Sequence, residues 1–79
     1  MKRYHLTAVI WKEGKQYVSR CPEVGVASYG PTAEKARLAL VEALELYLAN
    51  AKRLGLLRDL EPLLIDQTRY TTPLNITVN

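Results

Sequence analysis

Residues 32–55 read TAEKARLALVEALELYLANAKRLG, and this run decides the fold. Between Thr32 and Gly55 it contains no Gly or Pro, and the strong helix formers Ala, Leu, Glu, Lys and Arg dominate it. Thr32 offers a hydroxyl for the helix N-cap, and Glu34 falls in the first turn, where the helix dipole favours a negative charge. Gly55 stands where a left-handed C-terminal cap belongs. At about 100° per residue, Ala33, Ala36, Leu40, Ala43, Leu44, Tyr47, Ala51 and Leu54 form one stripe. The spacing predicts a helix over 33–54, roughly 33 Å long, whose apolar side must cover a sheet.

Upstream, residues 4–11 (YHLTAVIW) alternate with period two, with Leu6, Ala8 and Ile10 on one face and Val9 and Trp11 on the other. Lys12-Glu13-Gly14-Lys15 supplies a turn, so Gln16 to Cys21 returns antiparallel as a hairpin. Pro22 cannot donate to a ladder and ends that strand. Glu23-Val24-Gly25 bends the chain into a short third strand over 26–29, closed by Gly30-Pro31. Downstream of the helix, the Leu-rich residues 56–65, interrupted by Pro62, read as a short turn of helix or a packed loop. Residues 70–78 again alternate, with Leu74, Ile76 and Val78 on one side, and Pro73 argues for an edge position. The expected class is α+β, in the order β-β-β-α-β: one mainly antiparallel sheet covered on one face by a long helix. Leu6, Ala8, Ile10, Leu40, Leu44 and Tyr47 are the expected core.

The 79 residues leave room for one domain, with its core over 3–55, a tail over 56–69 and a terminal strand at about 70–78. Hydrophobic residues at 48% and charged residues at 24% describe a globular chain rather than a disordered one. Cys21 is the only cysteine, which excludes an intrachain disulfide and fits a reducing compartment. No apolar run approaches the ~18 residues of a membrane span, and Met1-Lys2-Arg3 leads into no apolar signal core. The expectation is a cytoplasmic domain. The net charge of +3 is a mild bias that permits an anionic partner without demanding one. Its closest basic grouping is Lys52, Arg53 and Arg58, where cations also complement the end of the helix.

Catalysis would need converging side chains, and the sequence supplies none. The predicted strands contain no Asp or Glu, and the single histidine, His5, cannot form a His–His or Cys–His metal spacing. No sequence-adjacent histidine activates Cys21, so a small buried side chain is its expected role. The four glycines are isolated and build no phosphate loop. We therefore expect no enzyme, no metal and no cofactor. The sequence does carry surplus apolar surface. One helix covers one sheet face, which leaves Val9, Trp11 and Tyr29 or Tyr17 for an interface, with Leu38 and Leu46 outside the helix stripe. A thin core and this surplus predict a homo-oligomer, a dimer or a higher even-numbered assembly, with residues 74–78 able to reach a neighbour's sheet edge.

From Tyr17 onward, Tyr17-Val18-Ser19-Arg20-Cys21-Pro22-Glu23, then Gly25-Val26-Ala27-Ser28-Tyr29-Gly30, Thr32 and Glu42-Ala43-Leu44-Glu45-Leu46-Tyr47-Leu48 resemble the HicB-like antitoxin family. The likeness covers roughly residues 4–48. The resemblance implies a partial ribonuclease-H-like β-β-β-α-β unit that binds and masks a HicA-type toxin, a small basic ribonuclease acting on messenger RNA. Many members of the family add a C-terminal DNA-binding segment. Here the bend at residues 23–26 is shorter than the family's, and the 24 residues after Gly55 are too few for such an addition. Two other readings stand beside this one. The first is a small nucleic-acid-binding or regulatory oligomer using Lys52, Arg53 and Arg58, without a toxin partner. The second is a degenerate nuclease, which the missing strand carboxylates disfavour.

Overall fold

The computed structural model describes residues 3–65 and 69–79. Three strands, β1 (Val9–Glu13), β2 (Gln16–Cys21) and β3 (Val26–Gly30), form one antiparallel sheet in the order β1-β2-β3. They are followed by a long helix, α1 (Ala33–Arg53), and a short one, α2 (Leu57–Ile65). The class is α+β, and the two hairpins and the long helix follow the order read from the sequence.

The helix ends are built as the sequence indicated. The Thr32 hydroxyl accepts from the Lys35 amide at 3.0 Å. At the other end Gly55 has φ +75°. Its amide donates to the Lys52 carbonyl at 3.1 Å, and the Leu56 amide reaches back to the Ala51 carbonyl at 2.8 Å. These two bonds satisfy carbonyls that would otherwise be orphaned at the helix end.

The register fixes what each sheet face shows. Ile10 pairs with Ser19, and Ser19 with Ser28, so these three share the face that α1 covers. Ser19 is fully buried there and donates to the Ala36 carbonyl at 2.8 Å, which satisfies its hydroxyl beneath the helix. Gly30 lets sheet and helix meet: a Cβ on it would lie 2.7 Å from the Ala36 nitrogen and 2.9 Å from the Lys35 carbonyl carbon. Cys21, Ala36, Leu40, Ala51 and Leu64 are the buried apolar residues among those described.

Several expectations need correction. The first strand begins at Val9, not residue 4. Val9 opens β1 opposite Arg20; continuing that register toward the N-terminus would set Thr7 against Pro22, which has no amide to give. Ala8 is consequently exposed rather than in the core, whereas Leu40 is buried and Leu6, Ile10, Leu44 and Tyr47 are half-buried. Ala33 and Leu54 lie at the two extremities of the helix, beyond what the sheet can cover, and are exposed. The tail over 56–65 forms α2 despite Pro62, and it contributes the fully buried Leu64. Residues 69–79 carry no strand, because a β-strand exists only by pairing and no described residue pairs with them. Part of the expected tail, residues 66–68, lies outside the described residues.

Candidate protein-binding surface

Antiparallel pairing sets Trp11 beside Val18, and Val18 beside Tyr29, in one row across all three strands. The next row holds Val9, Arg20 and Ala27. Both rows lie on the sheet face opposite α1, where Trp11 is 40% and Tyr29 65% exposed. Two aromatics flanking a valine, with an arginine one row away, make an apolar strip with a charged margin. Val9, Trp11 and Tyr29 were expected here and come together. Tyr17 does not join them, because its register row contains Lys12 and Gly30 on the helix side. Val18 was missed, although the hairpin register counted from Gly14 would have placed it opposite Trp11.

Leu38 and Leu46 are exposed on α1, Leu46 by 71%. They belong to the outer side of the helix layer, so the structure does not join them to the sheet strip. Lys52 and Arg53 end α1 and Arg58 opens α2, all exposed at the junction of the two helices. The Arg53 guanidinium donates to the Asn50 side-chain oxygen at 2.7 Å. Between α1 and α2 lies a recess of about 300 Å³ lined by Tyr47, Ala51, Leu54, Leu56 and Leu60 among others.

The residue that sequence reasoning underrated is Glu23. Its side chain is only 6% exposed and ties distant parts of the chain together. The Thr7 amide donates to it at 2.9 Å, the Cys21 thiol at 3.1 Å, and Arg69 forms an ion pair at 3.3 Å. Arg69 also donates to the His5 carbonyl at 2.7 Å and to the Leu63 carbonyl. The His5 amide donates to the Leu64 carbonyl at 3.0 Å, so His5 acts here through its backbone while its side chain is exposed. Burial by itself would raise the Glu23 pKa. Hydrogen bonds from the Thr7 side chain and amide, and then from Cys21, outweigh it and hold the carboxyl at about 2. The Cys21 thiol is pushed up by burial first and by its bond to Glu23 second, which keeps it protonated. Nothing local in the sequence announces this cluster, since Arg69 lies 46 positions from Glu23.

The described residues bring no three His, Cys, Asp or Glu side chains together as a metal site. No helix among them is long and apolar enough to cross a membrane. No protein-family model matches the chain, and neither a curated protein nor a solved structure shows significant similarity to it.

Proposed function

We infer that this chain is a non-enzymatic binding protein of the HicB antitoxin type, working in the cytoplasm and covering the RNA site of a HicA-type toxin. The observation that carries this reading is the Trp11–Val18–Tyr29 row on the uncovered sheet face. Aromatic side chains on a rigid sheet supply large contact area at small entropic cost, the usual character of interface anchors. The Cys-Pro-Glu segment that carries the family resemblance has a structural part to play in this chain, through Glu23, and leaves the sheet face free for a partner. The chain acts as a homo-oligomer, a dimer or a higher even-numbered assembly.

The test is inhibition of messenger-RNA cleavage by a purified HicA-type toxin. The expected result is stoichiometric protection of the RNA by the full chain, lost in Trp11→Glu because a desolvated interface rejects an unpaired charge. RNA cleavage undiminished by excess protein rejects the reading.

A second reading, a nucleic-acid-binding or regulatory oligomer without a toxin, draws on Lys52, Arg53 and Arg58 exposed at one helix junction. It requires RNA or DNA binding that falls steeply with salt and that weakens when these three cations are replaced.

A further inference from the structure

We propose that residues 74–78 of one copy add as a fourth strand to the β1 edge of a second copy, in a reciprocal two-fold exchange. This deepens the self-association stated above and rests on it. In the chain by itself the segment is apolar and unpartnered: Leu74 and Ile76 are 77% exposed and Val78 87%. Leu74, Ile76 and Val78 alternate with Asn75, Thr77 and Asn79, the pattern of a strand with one covered face. Pro73 immediately before it has no amide, so a ladder would begin at Leu74.

The acceptor is equally well defined. β1 is an edge strand of five residues, the length of residues 74–78, and among the described residues its outer side has no strand neighbour. α1 packs mainly against β3 and β2 and least against β1. A groove of about 400 Å³ stays open between α1 and the residues that lead into β1, with Leu6, Ala8, Leu40 and Leu44 in its apolar part and Arg37 and Glu45 in its polar part. A strand laid along β1 and continuing past Val9, with Leu74, Ile76 and Val78 turned toward α1, would bring its apolar side to that groove and leave its asparagines and threonine in solvent.

Two observations point to a second copy as the occupant. Arg69, held by Glu23 and the His5 carbonyl, fixes the start of the segment at the Val9 end of β1, and residues 70–74 line a recess together with Val9. From that anchor a strand on its own β1 would have to run parallel, the weaker ladder, and the described residues form none. A neighbour's edge imposes no such direction. The second observation is area. The chain exposes 6563 Å², against roughly 4,800 Å² for a folded monomer of this mass. The excess on this one chain is larger than the ~800 Å² that each partner buries in a standard protein–protein interface.

The experiment begins with light scattering of the full chain at micromolar concentration, where a mass of twice 8.9 kDa is expected. Ile76→Pro removes a ladder donor and should weaken the dimer at least about tenfold, ~1.4 kcal/mol. Circular dichroism checks that the variant keeps its helices. A second measurement does not depend on that variant: Glu13→Cys and Asn75→Cys chains, whose substituted side chains both lie on the face away from α1, are mixed and oxidised. A disulfide joining the two different chains supports exchange. A Glu13→Cys/Asn75→Cys double variant that closes only within one chain overturns it, as does the absence of any cross-link. A dimer indifferent to Ile76→Pro overturns the exchange alone, whereas a monomeric full chain overturns self-association as well. Neither result bears on toxin masking, which is read from RNA cleavage.

Discussion

Between Ser19 and Ala51 the chain buries Ser19, Cys21, Gly30, Ala36, Leu40 and Ala51 in one layer between sheet and helix, whereas after Ala51 only Leu64 is buried among the described residues and before Ser19 none is. The middle is closed by apolar packing and a backbone contact at Gly30. The ends are closed by polar bonds converging on Glu23 and Arg69, and the last residues are not closed at all. A small domain with one long helix over its sheet can fill that layer only where the helix reaches. The rest of the chain is fastened at points or left for another molecule.

If packing holds the middle, Leu40→Ala should have the largest effect. Leu40 is 1% exposed, and truncating a buried leucine costs about 2–5 kcal/mol in urea unfolding. A loss below ~1 kcal/mol would move the centre of the core elsewhere. Leu44→Ala, at a half-buried position, should cost less than Leu40→Ala.

The polar fastening of the ends should show in pH. The folded Glu23 carboxyl titrates at about 2, below its ordinary 4.5. Its stabilisation is therefore complete above pH 4.5 and disappears as the pH falls toward 2, where the unfolded chain binds the proton more readily. Converted at ~1.4 kcal/mol per unit, the contribution is on the order of 3 kcal/mol. Glu23→Gln should lose roughly 2–3 kcal/mol at neutral pH and flatten the acid limb of stability against pH. An unchanged acid limb in the Gln variant would assign the fastening to another group.

Gly30→Ala follows, at roughly 1–3 kcal/mol in thermal unfolding, because the atoms a Cβ would meet are backbone and cannot swing aside. A neutral result would mean that α1 lifts from the sheet at little cost. The smallest effect on stability belongs to Trp11→Glu, within ~0.5 kcal/mol for the isolated domain, since the side chain lies on the uncovered face. A larger loss would move Trp11 from binding into folding.

The middle of the chain was also the part legible in the sequence. Thr32, Gly55 and the stripe through Ala36, Leu40 and Ala51 are local signals, readable within one helix, and the hairpin turn at Gly14 with Pro22 as a stop bounds β2 to the residue. Where β1 begins was not readable, because it depends on which residue of β2 lies opposite. The α2 helix competed with Pro62, and the burial of Leu64 comes from packing that no local pattern encodes. The sheet strip was half legible: alternation separates Trp11 from Ile10, but only the register adds Val18 and removes Tyr17. Glu23 was illegible for the same reason at longer range. A carboxylate in a bend looks solvated until an arginine 46 residues away is seen to close over it.

Cys21 has one more consequence. It is the only thiol in the chain, it is fully buried, and it stays protonated beside Glu23, so an alkylating reagent meets no target while the sheet is closed. Its modification rate is then a clock for excursions of the native state. When reclosing outruns the reagent, the rate scales with the fraction of time the β2 end stands open. Followed with and without Glu23→Gln, that rate separates rare local openings of the bend from unfolding of the whole sheet.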